Sequence, residues 1–152
     1  MTSAPSTCLV DTNVLVYAVD PQDMGKQERA IAILDHVRAS QAGVLSAQIL
    51  GEFFTTVTRK LPSALSNQDA ERLVLGYIAS WPVYGLTTST VAAAVQGLQR
   101  YQLSYWDALV WATAREHRVP CILSEDFNDG AVLDGVRFLN PFRADFDPLV
   151  RF

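Results

Sequence analysis

The chain has 152 residues, 49% hydrophobic and 18% charged, with a formal net charge of −4. That length and composition exclude a disordered or low-complexity chain and fit one domain over residues 1–152, with a core at about 7–141 and a C-terminal tail at 142–152. No apolar run approaches the roughly 20 residues a membrane helix needs, residues 1–7 show no leader pattern, and the expected location is the cytoplasm.

The first apolar run, 7–10, contains Cys8, reads as a β-strand and ends at Asp11. A short helix is expected over 14–19, and Asp11 or Asn13 serves as its N-cap as readily as it serves chemistry. An Ala-rich helix over 26–42 leads to a strand at 43–46. Next comes a helix over 47–60 with Ile49, Leu50, Phe53, Phe54 and Val57 at helical spacing. Glu52 falls off that stripe and reads locally as a solvated glutamate. Ser66-Asn67-Gln68-Asp69 is a capping box opening a helix over 67–80, and a strand follows at 83–86.

Helices over 88–100 and 105–117 come next. Ser104-Tyr105-Trp106-Asp107 repeats the capping pattern, leaving Asp107 as a cap or a functional acid. Trp106 falls on an apolar stripe with Leu109 and Val110 and reads as core, whereas Trp111 lies off it and reads as groove wall or dimer surface. Pro120 stops the helix before a strand at 120–123, after which Ser124-Glu125-Asp126 lies at a strand end. Asn128-Asp129-Gly130 reads as a turn before the last strand, 136–139. Cys8 and Cys121 have no second ligand nearby and read as buried reduced thiols. His36 and His117 lie on different helices, and neither is expected to act as a general base.

Strands alternating with helices give an α/β fold with a parallel sheet, in which ligands bind outside the carboxyl ends of the strands. Asp11, Glu52, Asp107 and Asp126 all fall at that edge. Carboxylates placed together repel unless cations neutralise them. A set without thiolate or imidazole calls for a hard cation such as Mg²⁺ or Mn²⁺, the ions of phosphodiester hydrolysis. With those four set aside, the remaining acids and bases balance, so the negative net charge does not oppose a nucleic-acid substrate.

The segments Leu9-Val10-Asp11-Thr12-Asn13, Ser46 to Phe53, Ser104 to Ala108 and Leu123 to Phe127 resemble a PIN-domain nuclease, most of all the VapC-type toxins of VapBC toxin–antitoxin systems. The resemblance runs from Thr7 to about Pro141, with the motifs in the family's order. It implies a three-layer α/β/α domain with a parallel, roughly five-stranded sheet. It also implies that Asp11, Glu52, Asp107 and Asp126 are the catalytic, metal-binding acids, with Asp11 and Asp107 as the closest ligands. Asn13 and Ser124 match positions that make indirect or water-mediated contacts in similar proteins. The implied activity is endoribonucleolytic cleavage with Mg²⁺ or Mn²⁺, and the implied partners are RNA, a VapB-type antitoxin and a second copy in a homodimer. The alternatives are a PIN-type nuclease in RNA processing or on DNA, and a non-catalytic binding protein. A receiver-like signalling module is disfavoured, because a single acid follows strand one and no lysine follows Lys60.

Overall fold

A computed structural model describes residues 6–152; residues 1–5, part of the stretch read for a leader, lie outside it. In chain order the elements are β1 (Cys8–Val10), α1 (Thr12–Tyr17), α2 (Met24–Ala39), β2 (Gly43–Ser46), α3 (Ala47–Arg59), α4 (Asn67–Ser80), β3 (Val83–Tyr84), α5 (Thr88–Tyr101), α6 (Tyr105–Glu116), β4 (Cys121–Leu123), β5 (Val132–Leu133), β6 (Val136–Leu139) and α7 (Pro148–Arg151). Each helix starts at a polar N-cap whose side chain accepts a backbone N–H: Asp11, Asp23, Ser46, Ser66, Thr87, Ser104 and Asp147. Asp23 is the reason α2 begins at Met24 rather than at the expected residue 26.

The strands form one sheet in the order β3-β2-β1-β4-β6-β5. Neighbours are parallel except β5 and β6, which pair antiparallel. This agrees with the expected parallel sheet of roughly five strands and adds one short antiparallel strand at its edge. The sixth strand is the two-residue β5, joined to β6 through Asp134 and Gly135, both at positive φ (49° and 84°) as a tight hairpin turn requires. β1 and β4 are buried at every position, as central strands covered on both faces are. Cys8 pairs in register with Cys121 across the sheet, and both are buried with no disulfide at either.

From β1 the chain steps outward to β2 and β3, then returns past β1 to β4. Right-handed crossovers therefore lay α2 to α4 on one face and α5 and α6 on the other, the three layers of the predicted architecture. The reversal of direction falls between β1 and β4, so the crevice outside their carboxyl ends is the favoured ligand position. Backbone bonds fix those ends: Asp11 N–H donates to Leu123 O (2.9 Å) and Ser124 N–H to Leu139 O (3.0 Å).

Two expectations change. Trp111 is the core residue, 2% exposed, with its indole N–H on Leu133 O (3.0 Å), whereas Trp106 is 62% exposed. From Ala108 to Ala114 every residue of α6 is buried, so the helix has no single apolar stripe for Trp106 to join. The stretch after 141, expected as a C-terminal tail, packs back on the domain. Phe146 is buried in the core, and Arg29 of α2 donates to the carbonyls of Pro141, Arg143 and Phe146 (2.9, 3.1 and 2.5 Å). Among the described residues no helix is long and apolar enough to cross a membrane.

Candidate active site

Asp11 follows β1 directly and is only 5% exposed. One carboxylate oxygen accepts Thr12 N–H (2.8 Å), and the other accepts the Ser124 hydroxyl (2.7 Å). Ser124 and Asp126 reach the same place from the end of β4. The Asn13 amide, in the first turn of α1, joins them: Nδ2 donates to Ser124 Oγ (2.9 Å) and Asp126 Oδ2 (3.0 Å) and lies 3.5 Å from Asp11 Oδ2. Asp126 N–H returns to Ser124 Oγ at 3.1 Å. The two acids after β1 and β4 are thus held in one hydrogen-bonded group through Asn13 and Ser124.

Glu52 enters from α3. It does not point into open solvent, as its place off the apolar stripe implied. Its two oxygens accept from Thr12 Oγ1 and from Gln48 Nε2, each at 2.9 Å. Gln48, one turn earlier, also donates to the backbone carbonyl of Trp106 (3.1 Å), which ties the start of α6 to the same network. Asp107 sits in the first turn of α6, its N–H capped by Ser104 Oγ (3.2 Å).

Electrostatics link the four acids. Burial pushes the Asp11 carboxyl up to about 6, and the charges of Asp126 and Glu52 add to the rise, while the bonds from Ser124 and Thr12 oppose it. Asp107 is likewise raised, first by burial, with Asp126 and Glu52 contributing, against a lowering bond to Ser104. Burial is the larger cause at both groups, and the neighbouring carboxylates add to it. Lys26, in the first turn of α2, is engaged with the loop after β4: its ammonium donates to Glu125 (2.9 Å) and Tyr17 (3.1 Å), and Tyr17 donates to the other Glu125 oxygen.

Thr12, Asn13, Gln48, Glu52, Trp106 and Asp126 line one open pocket of about 840 Å³. Its oxygen-only donors suit a hard divalent cation, and a buried amide oxygen in its wall, Gln48 Oε1, has no hydrogen-bond partner among the described residues. No three His, Cys, Asp or Glu side chains among those residues form a ready-made cage. A hydrated ion held by one or two carboxylates and otherwise by water fits that spacing. Of the six residues singled out from the sequence, Asn13, Glu52 and Asp126 line this pocket; Asp11, Ser124 and Asp107 do not, the first two being hydrogen-bonded behind Asn13. Sequence reasoning missed Thr12, Gln48 and Lys60, which also line the pocket. The four-residue spacing of Gln48 and Glu52 on one helix was the available signal. Asp129 stays outside, accepting Asn140 N–H (2.8 Å) and pairing with Arg143 as a turn residue.

A family model described as "PIN domain" matches residues 8–129. No curated protein matches the chain. Among solved structures, the fold is similar to a toxin-antitoxin complex from Klebsiella pneumoniae, with a TM-score of 0.64 at 18% identity over 90% of this chain and 98% of that one. It is also similar to VapC20 from Mycobacterium tuberculosis, described as a Sarcin-Ricin loop cleaving toxin (TM-score 0.63, 20% identity, 86% and 99% covered). A third likeness is to DNA-bound VapBC from Salmonella typhimurium (TM-score 0.61, 16% identity, 88% and 96% covered).

Proposed function

The chain belongs to the PIN domain family, and from that premise we propose that it is a Mg²⁺- or Mn²⁺-dependent endoribonuclease, the toxin of a type II toxin–antitoxin pair. The observation that carries the reading is the convergence of Asp11, Glu52, Asp107 and Asp126. They come from four separate segments, and the charges of Asp126 and Glu52 act on both Asp11 and Asp107, which supports reading the four as one site. Asp11 and Asp107 are the closest ligands in this reading, and Glu52 and Asp126 complete the set. When bound, the ion supplies charge neutralisation and Lewis acidity at a scissile phosphodiester.

The chain's own groups do the rest. Asn13 and Ser124 keep Asp11 and Asp126 side by side and orient their free lone pairs. Thr12 and Gln48 hold Glu52 by both oxygens, so its carboxylate plane is set before substrate arrives. Lys60 gives the pocket wall a positive charge for phosphate. The raised proton affinity of Asp11 leaves that carboxyl half-protonated near pH 6, so it is fully ionised only well above that pH.

The same reading proposes a VapB-type antitoxin, a homodimer and a cytoplasmic location. The apolar groove lined by Leu50, Phe54, Val74, Ile78 and Val83, with Leu75 and Ile78 exposed on α4, is the kind of surface that partner proteins cover. The test incubates purified wild type and Asp11→Asn protein with an RNA pool and with DNA, under Mg²⁺, Mn²⁺ or EDTA. RNA cleavage by wild type alone, and only with metal, is expected. Equal cleavage by the variant rejects the site, and cleavage confined to DNA rejects the RNA assignment.

A further inference from the structure

The geometry points to a nucleobase-stacking subsite at Trp106, which takes an unpaired base of the strand whose phosphate lies at the acids. The inference rests on the nuclease reading and specifies how its substrate is held. Of the three tryptophans, Trp81 and Trp111 are buried (7% and 2% exposed), whereas Trp106 leaves most of its indole in water (62%). Because Trp106 lines the pocket that Glu52 and Asp126 also line, its exposed face is available to a ligand held there. Tyr105 meets it edge-on, with centroids 5.1 Å apart at 68°, which limits the ring's freedom before anything binds.

Trp106 is mechanically tied to the acids. The single Gln48 amide donates both to the Trp106 carbonyl (3.1 Å) and to Glu52 (2.9 Å), and Asp107 is the next residue in the chain. The start of α6, which carries Trp106, is therefore held beside Glu52, so the indole and the acids belong to one pocket wall. A ligand that uses both must carry an aromatic ring and a phosphate, which describes a nucleotide. Lys60 and the apolar side chains of Leu61 and Leu86 line the same pocket, and about 840 Å³ accommodates a nucleotide with room to spare. Stacking on an aromatic face is indifferent to base identity but requires the base to be unpaired, so a loop or single strand binds and a duplex does not.

Trp81 and Trp111 also emit, so the Trp106 signal is read as the difference between wild type and Trp106→Phe. The full chain is titrated in EDTA, where no cleavage occurs, with a labelled single-stranded RNA of about ten nucleotides, an abasic strand of equal length and an RNA duplex. The single strand is expected to quench tryptophan emission, with the abasic strand and the duplex leaving it unchanged. By anisotropy of the label, Trp106→Ala should weaken binding of the single strand about tenfold and Trp106→Phe should restore most of it. Equal affinity for the abasic strand, or an unchanged Kd in Trp106→Ala, overturns the subsite. Loss of a dimer by light scattering in Trp106→Ala, with the RNA Kd unchanged, assigns the ring to a protein interface and also overturns it. A parallel assay of the wild type on the same single strand with Mn²⁺ separates the two readings. Base-dependent quenching without cleavage upholds the subsite and rejects the nuclease, and cleavage without base-dependent binding does the reverse.

Discussion

Asp11 performs two duties that pull against each other: it caps α1, and it is a nearly buried carboxylate facing other acids. Its folded-state value of about 6 lies above the roughly 3.9 of an unfolded chain, so the folded state holds the proton more tightly. Its contribution to stability is fully present below about pH 4 and is lost as pH rises through about 6. In EDTA, urea titrations of wild type and Asp11→Asn should therefore diverge in the variant's favour from pH 4.5 to pH 8, by up to about 3 kcal/mol. A difference independent of pH would mean the carboxylate is not strained by burial. Ser124 is 1% exposed and serves Asp11, Asn13 and Asp126 N–H at once. Ser124→Ala should cost about 1–3 kcal/mol of stability by urea melts and should slow cleavage as well. Of these acids, Asp11 and Asp107 looked like caps because each occupies a capping position, and Glu52 looked like a surface residue because it faces Thr12 across α1 rather than the core. Local spacing carries no signal for a partner 40 residues away.

Between elements, α5 lies close against α6 at Gly97. A Cβ added at Gly97 would stand 2.3 Å from Trp111 Cζ3. Alanine in a helix interior normally stabilises by up to about 1 kcal/mol relative to glycine, but this clash reverses the sign. Gly97→Ala should lose about 1–3 kcal/mol, and adding Trp111→Phe should recover part of it; a stabilised single variant would contradict the packing. The same helix pair shows where periodicity misled. One-sided amphipathicity tells core from surface only for a helix with a wet face, and α6 has none between Ala108 and Ala114. Capping residues were more informative, since Ser66 and Ser104 set the starts of α4 and α6 at the expected residues. The β5–β6 hairpin was legible in principle from Asp134-Gly135, but two residues of strand give too short a pattern to register.

At the scale of the molecule, the alternation of apolar runs and helices foretold the parallel sheet, and the rule of carboxyl-end crevices foretold the edge where the acids meet. The strand order that makes β1 and β4 neighbours was not legible, because it depends on which helices pack together. The packing of the closing segment was not legible for a related reason: Arg29 and Phe146 meet across more than a hundred residues. We propose that the whole chain folds as one unit. Removing residues 142–152, or Arg29→Ala, should lower the midpoint of a single unfolding transition, and a second transition in the wild type would contradict this.

The central claim is that acids distant along the chain share a hard cation, and Mn²⁺ titration of the metal-free protein at pH 7.5 reads it directly by calorimetry. Wild type should bind Mn²⁺ with release of protons, and Asp11→Asn, Asp107→Asn and Asp126→Asn should each weaken binding by about tenfold or more. Equal Mn²⁺ binding by all four proteins, or none by the wild type, would contradict it.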